Sequence, residues 1–598
     1  MFEAETVMHE RDETRRRFLT NFAGLGLGTS LLPGVLWGQL QQESTTRITP
    51  SMLKDALAVA GLSFSEEDEK AILRSANQSL GRYEEIRKLH IPNDVEPPFY
   101  FSPLVPGMKV NRASEPFTPS SPAVKRPLNL ENAAFWPVLH LAQLLKTRQV
   151  TSLELTQMYL TRLHKYNTRL NCVVTFLDEV ALAQAKQADR EIAAGHYKGP
   201  LHGIPWGAKD IIAVKGYRTT WGSAAYKEQV LDEDASVVEM LRDAGAVLLA
   251  KLASGELAGG DMWWGGQTKN PWNISEGSYG SSAGPASATG AGCLGFAIGS
   301  ETSGSILHPS SRCGITGLRP TFGRVSRYGV MALSWTQDRL GPLCRYAEDC
   351  ALVMHAIARP DDRDLSVSEI PFHWNARLDL KSIRVGYLKE SFDETKDPVT
   401  KHNNEKTLEQ IQSMGLKLVP VTVPDWTLDS SGFGVESAAF FDEMIRTGRD
   451  RLMTNPSRAN GMKSARLVPA VEYLQSQRAR AMMMAKLAEA TAGVDVYLAP
   501  ADRSVTGADP DHAGSTAGET GVGRGPQGPT IRHFNMANLA GYPALAIPNG
   551  FTDAATPGSI IFYGRPFTEG QILALGKAYQ DAAGFYKKYP DLDRRATF

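Results

Sequence analysis

The sequence predicts an α/β fold in which a large sheet is covered by helices on both faces. Two observations predict it. Five short runs are continuously apolar instead of alternating: GAVLLAKL (245–252), IRVGYL (383–388), LKLVPVTV (416–423), VDVYLAP (494–500) and YPALAIP (542–548). A strand reads this way when both of its faces are buried. Helical segments separate the runs, as ASVVEMLRDA does just before the first, and strands alternating with helices build covered sheets.

The elements follow in chain order. Residues 14–20 read TRRRFLT, and an uncharged stretch then runs to Gln42. A basic patch ahead of an apolar run is the pattern of a signal sequence. Arg15, Arg16 and Arg17, placed directly before Phe18 and Leu19, resemble a twin-arginine export signal. Gly24, Gly26 and Gly28 keep the run weakly hydrophobic. Residues 1–42 are therefore expected to direct the chain to the periplasm or the exterior. No A-x-A site follows, and the run is long enough to span a bilayer, so a membrane contact is expected only if this segment is retained. Residues 43–130 read as an extension: two helices broken near Gly61, then a Pro-rich connector. Residues 131–598 form the main domain. In it, Thr151 and Glu154 spell a capping box for a helix reaching about Asn167. A second helix spans 179–194 with Gly195 beyond its end. Residues 501–530 read as a polar surface loop. Thr568 and Gln571 repeat the capping signal ahead of a C-terminal helix.

Composition narrows the function. Of 598 residues, 42% are hydrophobic and 22% charged, and Lys+Arg 64 against Asp+Glu 65 leaves a formal charge of -1. No basic excess marks the chain for nucleic acid. The five cysteines form no CxxC pair and no zinc spacing, and they read as buried small hydrophobes. The twelve histidines contain no HExxH, so no metal and no cofactor are expected. The pattern carries no signal for oligomeric state.

Three segments carry chemistry. In GIPWGAKD (203–210), Lys209 lies between a Gly/Pro turn and the apolar pair Ile211 and Ile212. Desolvation there lowers a lysine's pKa and frees its amine as a base; the plainer reading is a cation at a strand edge. In SYGSSAGPASATGAG (278–292), small residues let the backbone approach a ligand. In IGSETSGSILHP (298–309), Ser300, Thr302, Ser303, Gly304 and Ser305 crowd a turn that can aim several N–H groups at one point. Singly, each is an ordinary Ser/Gly loop.

Together they resemble the amidase-signature family. Lys209 lies 72 residues before Ser281, and Ser305 follows Ser281 by 24. The segments NPWN (270–273), GLRPTFGRVSRYGVMALSWTQDRLGPLCRYAEDC (317–350) and NLAGYPALAIP (538–548) look like further family segments, and the likeness covers roughly 133–590. The resemblance implies a large mixed twisted sheet sandwiched by helices, here with a helical N-terminal extension. It implies hydrolysis of a small-molecule amide through a Ser–cisSer–Lys triad. Ser305 would be the nucleophile, Ser281 the bridging serine after a cis bond from Gly280, and Lys209 the base. N–H groups of Thr302, Ser303, Gly304 and Ser305 would hold the oxyanion, with Ser282 and Glu301 orienting the triad. Carbamate or ester hydrolysis uses the same acyl chemistry, and the family also includes the glutaminase component of the tRNA-dependent amidotransferase.

The sequence departs from the family at several positions. Tyr279, Ala283 and Pro285 stand where the usual run has Gly, Gly and Ser. In the nucleophile loop Glu301 replaces Asp, Ser303 replaces Gly and Leu307 replaces Arg, so the usual partner of that arginine has to be satisfied otherwise. Residues 280–284 (GSSAG) also fit G-x-S-x-G, an α/β-hydrolase elbow with Ser282 as nucleophile, and His355, His373, His402, His512 and His533 are available to it. Trp206, Trp263, Trp264, Tyr279 and Trp335 lie near the motifs and suggest an aromatic acyl pocket.

Overall fold

A computed structural model describes residues 48–89, 101–428, 432, 434–501 and 528–593. The export-type segment and most of the polar loop at 501–530 lie outside the described residues. Eleven strands form one sheet: β1 Val173–Phe176, β2 Pro205–Lys209, β3 Val247–Leu252, β4 Phe296–Glu301, β5 Thr316–Arg319, β6 Arg339–Cys344, β7 Val385–Leu388, β8 Leu418–Val421, β9 Val496–Pro500, β10 Ala544–Phe551 and β11 Pro557–Gly564. Their order is β1-β3-β2-β4-β6-β5-β10-β11-β9-β7-β8. β3, β2 and β4 run parallel, as do β9, β7 and β8. The other pairings are antiparallel, so the sheet is mixed.

Side-chain alternation shows why these strands look uniformly apolar. Val496 and Leu498 of β9 join one hydrophobic cluster, whereas Tyr497 and Ala499 join another. Successive residues point to opposite faces, and here both faces are dry. LKLVPVTV departs from the fully buried reading. Its strand, β8, is the sheet's edge, and Val419 is 40% exposed. Pro420 explains the placement, since a proline cannot donate to a ladder and is confined to edges.

The helices follow the sequence signals closely. α1 Pro50–Val59 and α2 Glu66–Arg87 are separated by Gly61 at φ +66. They enclose a small core of Ile48, Leu53, Leu57, Ile72 and Ala76, against which Leu467 packs. Lys463 fastens the pair to the main body through Asp68 at 2.7 Å and Asp450 at 2.9 Å. Residues 101–128 contain no helix and no ladder strand. Next come α3 Val138–Lys146, α4 Ser152–Leu170 and α5 Asp178–Ala193, and α4 carries the full Thr151–Glu154 capping box. The C-terminal helix Glu569–Ala583 lacks the cap expected from Thr568. The Thr568 hydroxyl donates instead to Arg565 O at 2.7 Å, which turns it away from the helix. No helix among the described residues is long and apolar enough to cross a membrane. All five cysteines are buried free thiols.

The edge and the centre of the sheet make opposite predictions for truncation. Leu498→Ala should cost about 3 kcal/mol, while Val419→Ala should stay within about 0.5 kcal/mol. Urea denaturation of the two variants beside the parent chain measures both.

Candidate active site

Parallel pairing sets the site. Ala208 of β2 lies opposite Ile298 of β4, so the next residue, Lys209, reaches the C-terminal end of β4 at Gly299 and Ser300. Carboxyl ends of parallel strands are where α/β sheets place their ligands. Lys209 is the last residue of an interior strand and is wholly buried, which replaces the strand-edge reading. Its Nζ donates to Ser281 Oγ at 2.7 Å and to Ser300 Oγ at 2.9 Å. Burial drives its pKa down to about 7; Asp338 and Glu301 oppose that shift, and Arg458 adds to it.

The Gly280–Ser281 peptide is cis. Ser281 O accepts from Gly255 N at 3.1 Å, and Ser282 N donates to Ser305 O at 3.2 Å. The glycine-serine run and the nucleophile loop are thus stitched together through backbone. The structure joins Lys209 to Ser281, but among the described residues no hydrogen bond links the Ser281 and Ser305 hydroxyls. Ser305 remains only 6% exposed. The backbone N–H groups of Thr302, Ser303, Gly304 and Ser305 donate to no backbone acceptor among the described residues. Gly304 adopts φ +93, and a Cβ there would lie 2.4 Å from the His308 ring, so only glycine fits the turn.

The two supporting residues have distinct contacts. Ser282 Oγ accepts from Ser300 N and donates to Ser300 O, both at 3.1 Å. It is a strut between the two loops, fully buried, which leaves no exposed hydroxyl for an α/β-hydrolase elbow. His533 is buried against Tyr497 at 3.0 Å, His355 stacks on Phe117 and His373 meets Ala113 O. None of the three contacts Ser282. His512 lies outside the described residues. Glu301 Oε2 accepts from Ile306 N at 2.8 Å and Leu307 N at 3.0 Å, and Oε1 accepts from Arg319 Nη1 at 2.9 Å. Burial alone would raise this carboxyl's pKa, but Arg319, Arg339 and the two N–H groups hold it below the ordinary value. Glu301 is thus paired with Arg319 of β5, and Leu307 packs in the apolar core.

Other departures have local reasons. Tyr279 stands at φ +61, the left-handed region that favours glycine, and its N–H donates to Asp261 Oδ2 at 3.0 Å. Pro285 falls in the first turn of helix Ala283–Gly290, where no N–H has an intrahelical partner. The five aromatic residues do not form one pocket. Trp206 is core, stacked on Phe296, and Trp263 is also buried. Trp264 Nε1 donates to Thr220 Oγ1 at 3.0 Å. Tyr279 meets His308 edge-on, and His308 stacks on Phe534. Trp335 is 47% exposed. Sequence reading assigned no role to His308, nor to Ser300 as a partner of Lys209. The parallel register of β2 and β4 was the missing signal for Ser300.

The profile described as Amidase matches residues 154–573. The A-type component of the glutamyl-tRNA(Gln) amidotransferase from Methylococcus capsulatus is 34% identical over 490 residues, covering 75% of this chain and 97% of that protein. The Geobacter metallireducens counterpart is 32% identical over 479 residues, covering 74% and 96%. The crystal structure of native peptide amidase from Stenotrophomonas maltophilia superposes with a TM-score of 0.65 at 28% identity, covering 78% of this chain and 100% of that one.

The lowered lysine pKa has a measurable sign. Lys209 becomes neutral as pH rises through about 7. Covalent labelling by a fluorophosphonate should accelerate through that pH and level off above it. Lys209→Met should remove the rise; a flat profile in the parent chain would contradict the assignment.

Proposed function

Because the chain belongs to the amidase family, we propose that it hydrolyses a linear amide C–N bond through an acyl-enzyme on Ser305. The observation that carries this reading is the 2.7 Å contact of a fully buried lysine with Ser281, whose neighbour Ser282 is hydrogen-bonded to Ser305 through backbone. Above about pH 7 the amine is neutral, and across the same separation Nζ accepts the Ser281 proton. Ser281 Oγ takes the proton of Ser305 as that oxygen attacks the carbonyl carbon. The Ser281–Ser305 link closes with substrate bound, as catalytic hydrogen bonds often do. The tetrahedral oxyanion is held by the N–H groups of 302–305. The proton returns along the two hydroxyls to the leaving amine as the C–N bond breaks, and water then releases the acid and regenerates Ser305.

Ester and carbamate cleavage need the same steps and belong on the same substrate panel. A second reading follows from the amidotransferase relatives at 32–34% identity: a glutaminase-type component that works beside a partner. The purified chain discriminates. On the amidase reading it turns over simple amides alone; a chain silent by itself but active on glutamine once a partner protein is added would favour the amidotransferase.

Ser305→Ala should lower kcat by about four orders of magnitude or more, with Lys209→Ala comparably damaging because the residues act as one unit. EDTA should leave turnover unchanged, since every step uses the chain's own groups. Full activity after loss of the Ser305 hydroxyl, or its loss with EDTA, would overturn the reading.

We also propose that the chain is exported by the twin-arginine route, on the strength of TRRRFLT at 14–20. Replacing Arg15, Arg16 and Arg17 by lysine should trap the protein in the cytoplasm. Fractionation with an enzymatic marker for each compartment measures it, and unchanged distribution would contradict export.

A further inference from the structure

A line of aromatic rings runs beside the site and has no part in the chemistry described above. Trp221 lies with Tyr226 at 4.4 Å and Phe440 at 5.6 Å between ring centroids, and Trp335 continues the line at 6.0 Å from Phe440. Phe441 backs the line from the core. Both ends are anchored to the candidate active site. At one end Trp221 N donates to the carbonyl of Asp210, the residue after Lys209, at 3.2 Å. At the other, Trp335 sits in the loop closed by Asp338, whose Oδ1 accepts from the Thr302 hydroxyl at 2.5 Å. The segments that carry the two end rings are therefore hydrogen-bonded to the segments that carry Lys209 and Thr302.

Trp335 is held in an unusual way. The residue is 47% exposed, yet its backbone is pinned on every side. Leu333 N and Ser334 N donate to Asp338 Oδ2 at 2.6 and 2.9 Å. Buried Glu436 accepts from Ser334 Oγ, Thr336 N and Thr336 Oγ1 at 2.7–3.0 Å. Arg480 Nη2 donates to Thr336 O at 2.9 Å, and Arg327 Nη1 donates to Trp335 O at 2.6 Å. Trp221 is likewise fixed at φ +52, a conformation rare for a bulky residue, with its carbonyl accepting from Leu257 N at 2.8 Å. A large, half-exposed apolar side chain on a rigid loop tied to the nucleophile loop is a preorganised contact surface with little ordering entropy left to lose.

We infer that Trp221, Phe440 and Trp335 form a wall that binds the aryl or similarly bulky apolar portion of the amide substrate. This rests on the hydrolase reading and narrows its substrate class. Aryl-bearing amides are preferred over small ones, and the preference resides in Phe440 and Trp335.

The test compares kcat/KM for three amides: 4-phenylbutyramide, with an acyl-side ring; N-benzylacetamide, with an amine-side ring; and acetamide. The parent chain should favour at least one aryl substrate over acetamide. Trp335→Ala and Phe440→Leu should each cut that selectivity ratio about ten-fold or more, as expected for losing a buried aromatic contact. Whichever aryl series falls shows which side of the scissile bond the wall holds. Tyr589→Ala, a remote aromatic stacked on Phe135, should leave the ratio unchanged. Fluorophosphonate labelling of Ser305 confirms that each variant is folded. If the parent chain turns over no amide and takes no label, the hydrolase reading falls. If it turns over amides and the ratio survives both wall substitutions, the wall alone falls.

Discussion

Withdrawal of the Lys209 amine from water is the constraint on which the rest of the site depends. An exposed lysine amine stays protonated at neutral pH, with a pKa near about 10.4, and a protonated amine accepts nothing. Here β2, an interior strand of an eleven-stranded sheet, ends by carrying the side chain into a fully buried position, where the charged form loses its hydration. Asp338 and Glu301 work against that loss, and the balance sits close to neutrality. The amine is also immobilised, because two hydroxyls take both of its hydrogen bonds. A groove-side or loop-borne lysine would have neither property.

The remainder of the sheet supports this arrangement at some cost. Glu301 and Arg319 are both fully buried at 2.9 Å. A buried pair offsets its desolvation only when its remaining hydrogen bonds are satisfied. The carboxylate's are, by Ile306 N and Leu307 N; the guanidinium reaches Asn538 Oδ1 at 2.7 Å and Tyr542 O at 3.1 Å, while its Nη2 stays buried with no hydrogen-bond partner among the described residues. The pair thereby ties the turn after β4 to β5, to the start of β10 and to helix Pro529–Leu539. That turn holds Ser305 and its neighbouring N–H groups. The Leu307 side chain, just beyond that turn, packs in the apolar core.

Much of this was legible before any coordinates. Continuous apolar runs located β3, β7, β9 and β10, and the Thr151–Glu154 pair located a helix start to the residue. β2, β4, β5 and β6 were not read as strands. Their sequences, PWGAK, FAIGSE, TGLR and RLGPLC, are broken by glycine, proline and charge, because these strands carry the site and its ionic supports as well as core. LKLVPVTV showed the limit of local hydrophobicity: an edge strand can look buried until its proline is weighed. Thr568 and Gln571 showed the limit of a capping motif, since the threonine hydroxyl had a nearer carbonyl to bind. In the site, spacing singled out Lys209, Ser281 and Ser305. Ser300 escaped because its contact with Lys209 is created by strand register, which no local pattern encodes. The row of Trp221, Phe440 and Trp335 escaped for a related reason. Trp221 and Phe440 are 219 residues apart in sequence, and only the packed loops bring them together.

The central claim is that one amine is neutral at physiological pH because of where the sheet puts it. The direct measurement is a carbon-13 NMR titration of reductively dimethylated or isotopically labelled lysines in the intact protein, with Lys209→Met to assign the resonance. The account predicts one lysine titrating at about 7, absent from the variant. A Lys209 resonance that titrates with the surface lysines near about 10.4 would contradict it.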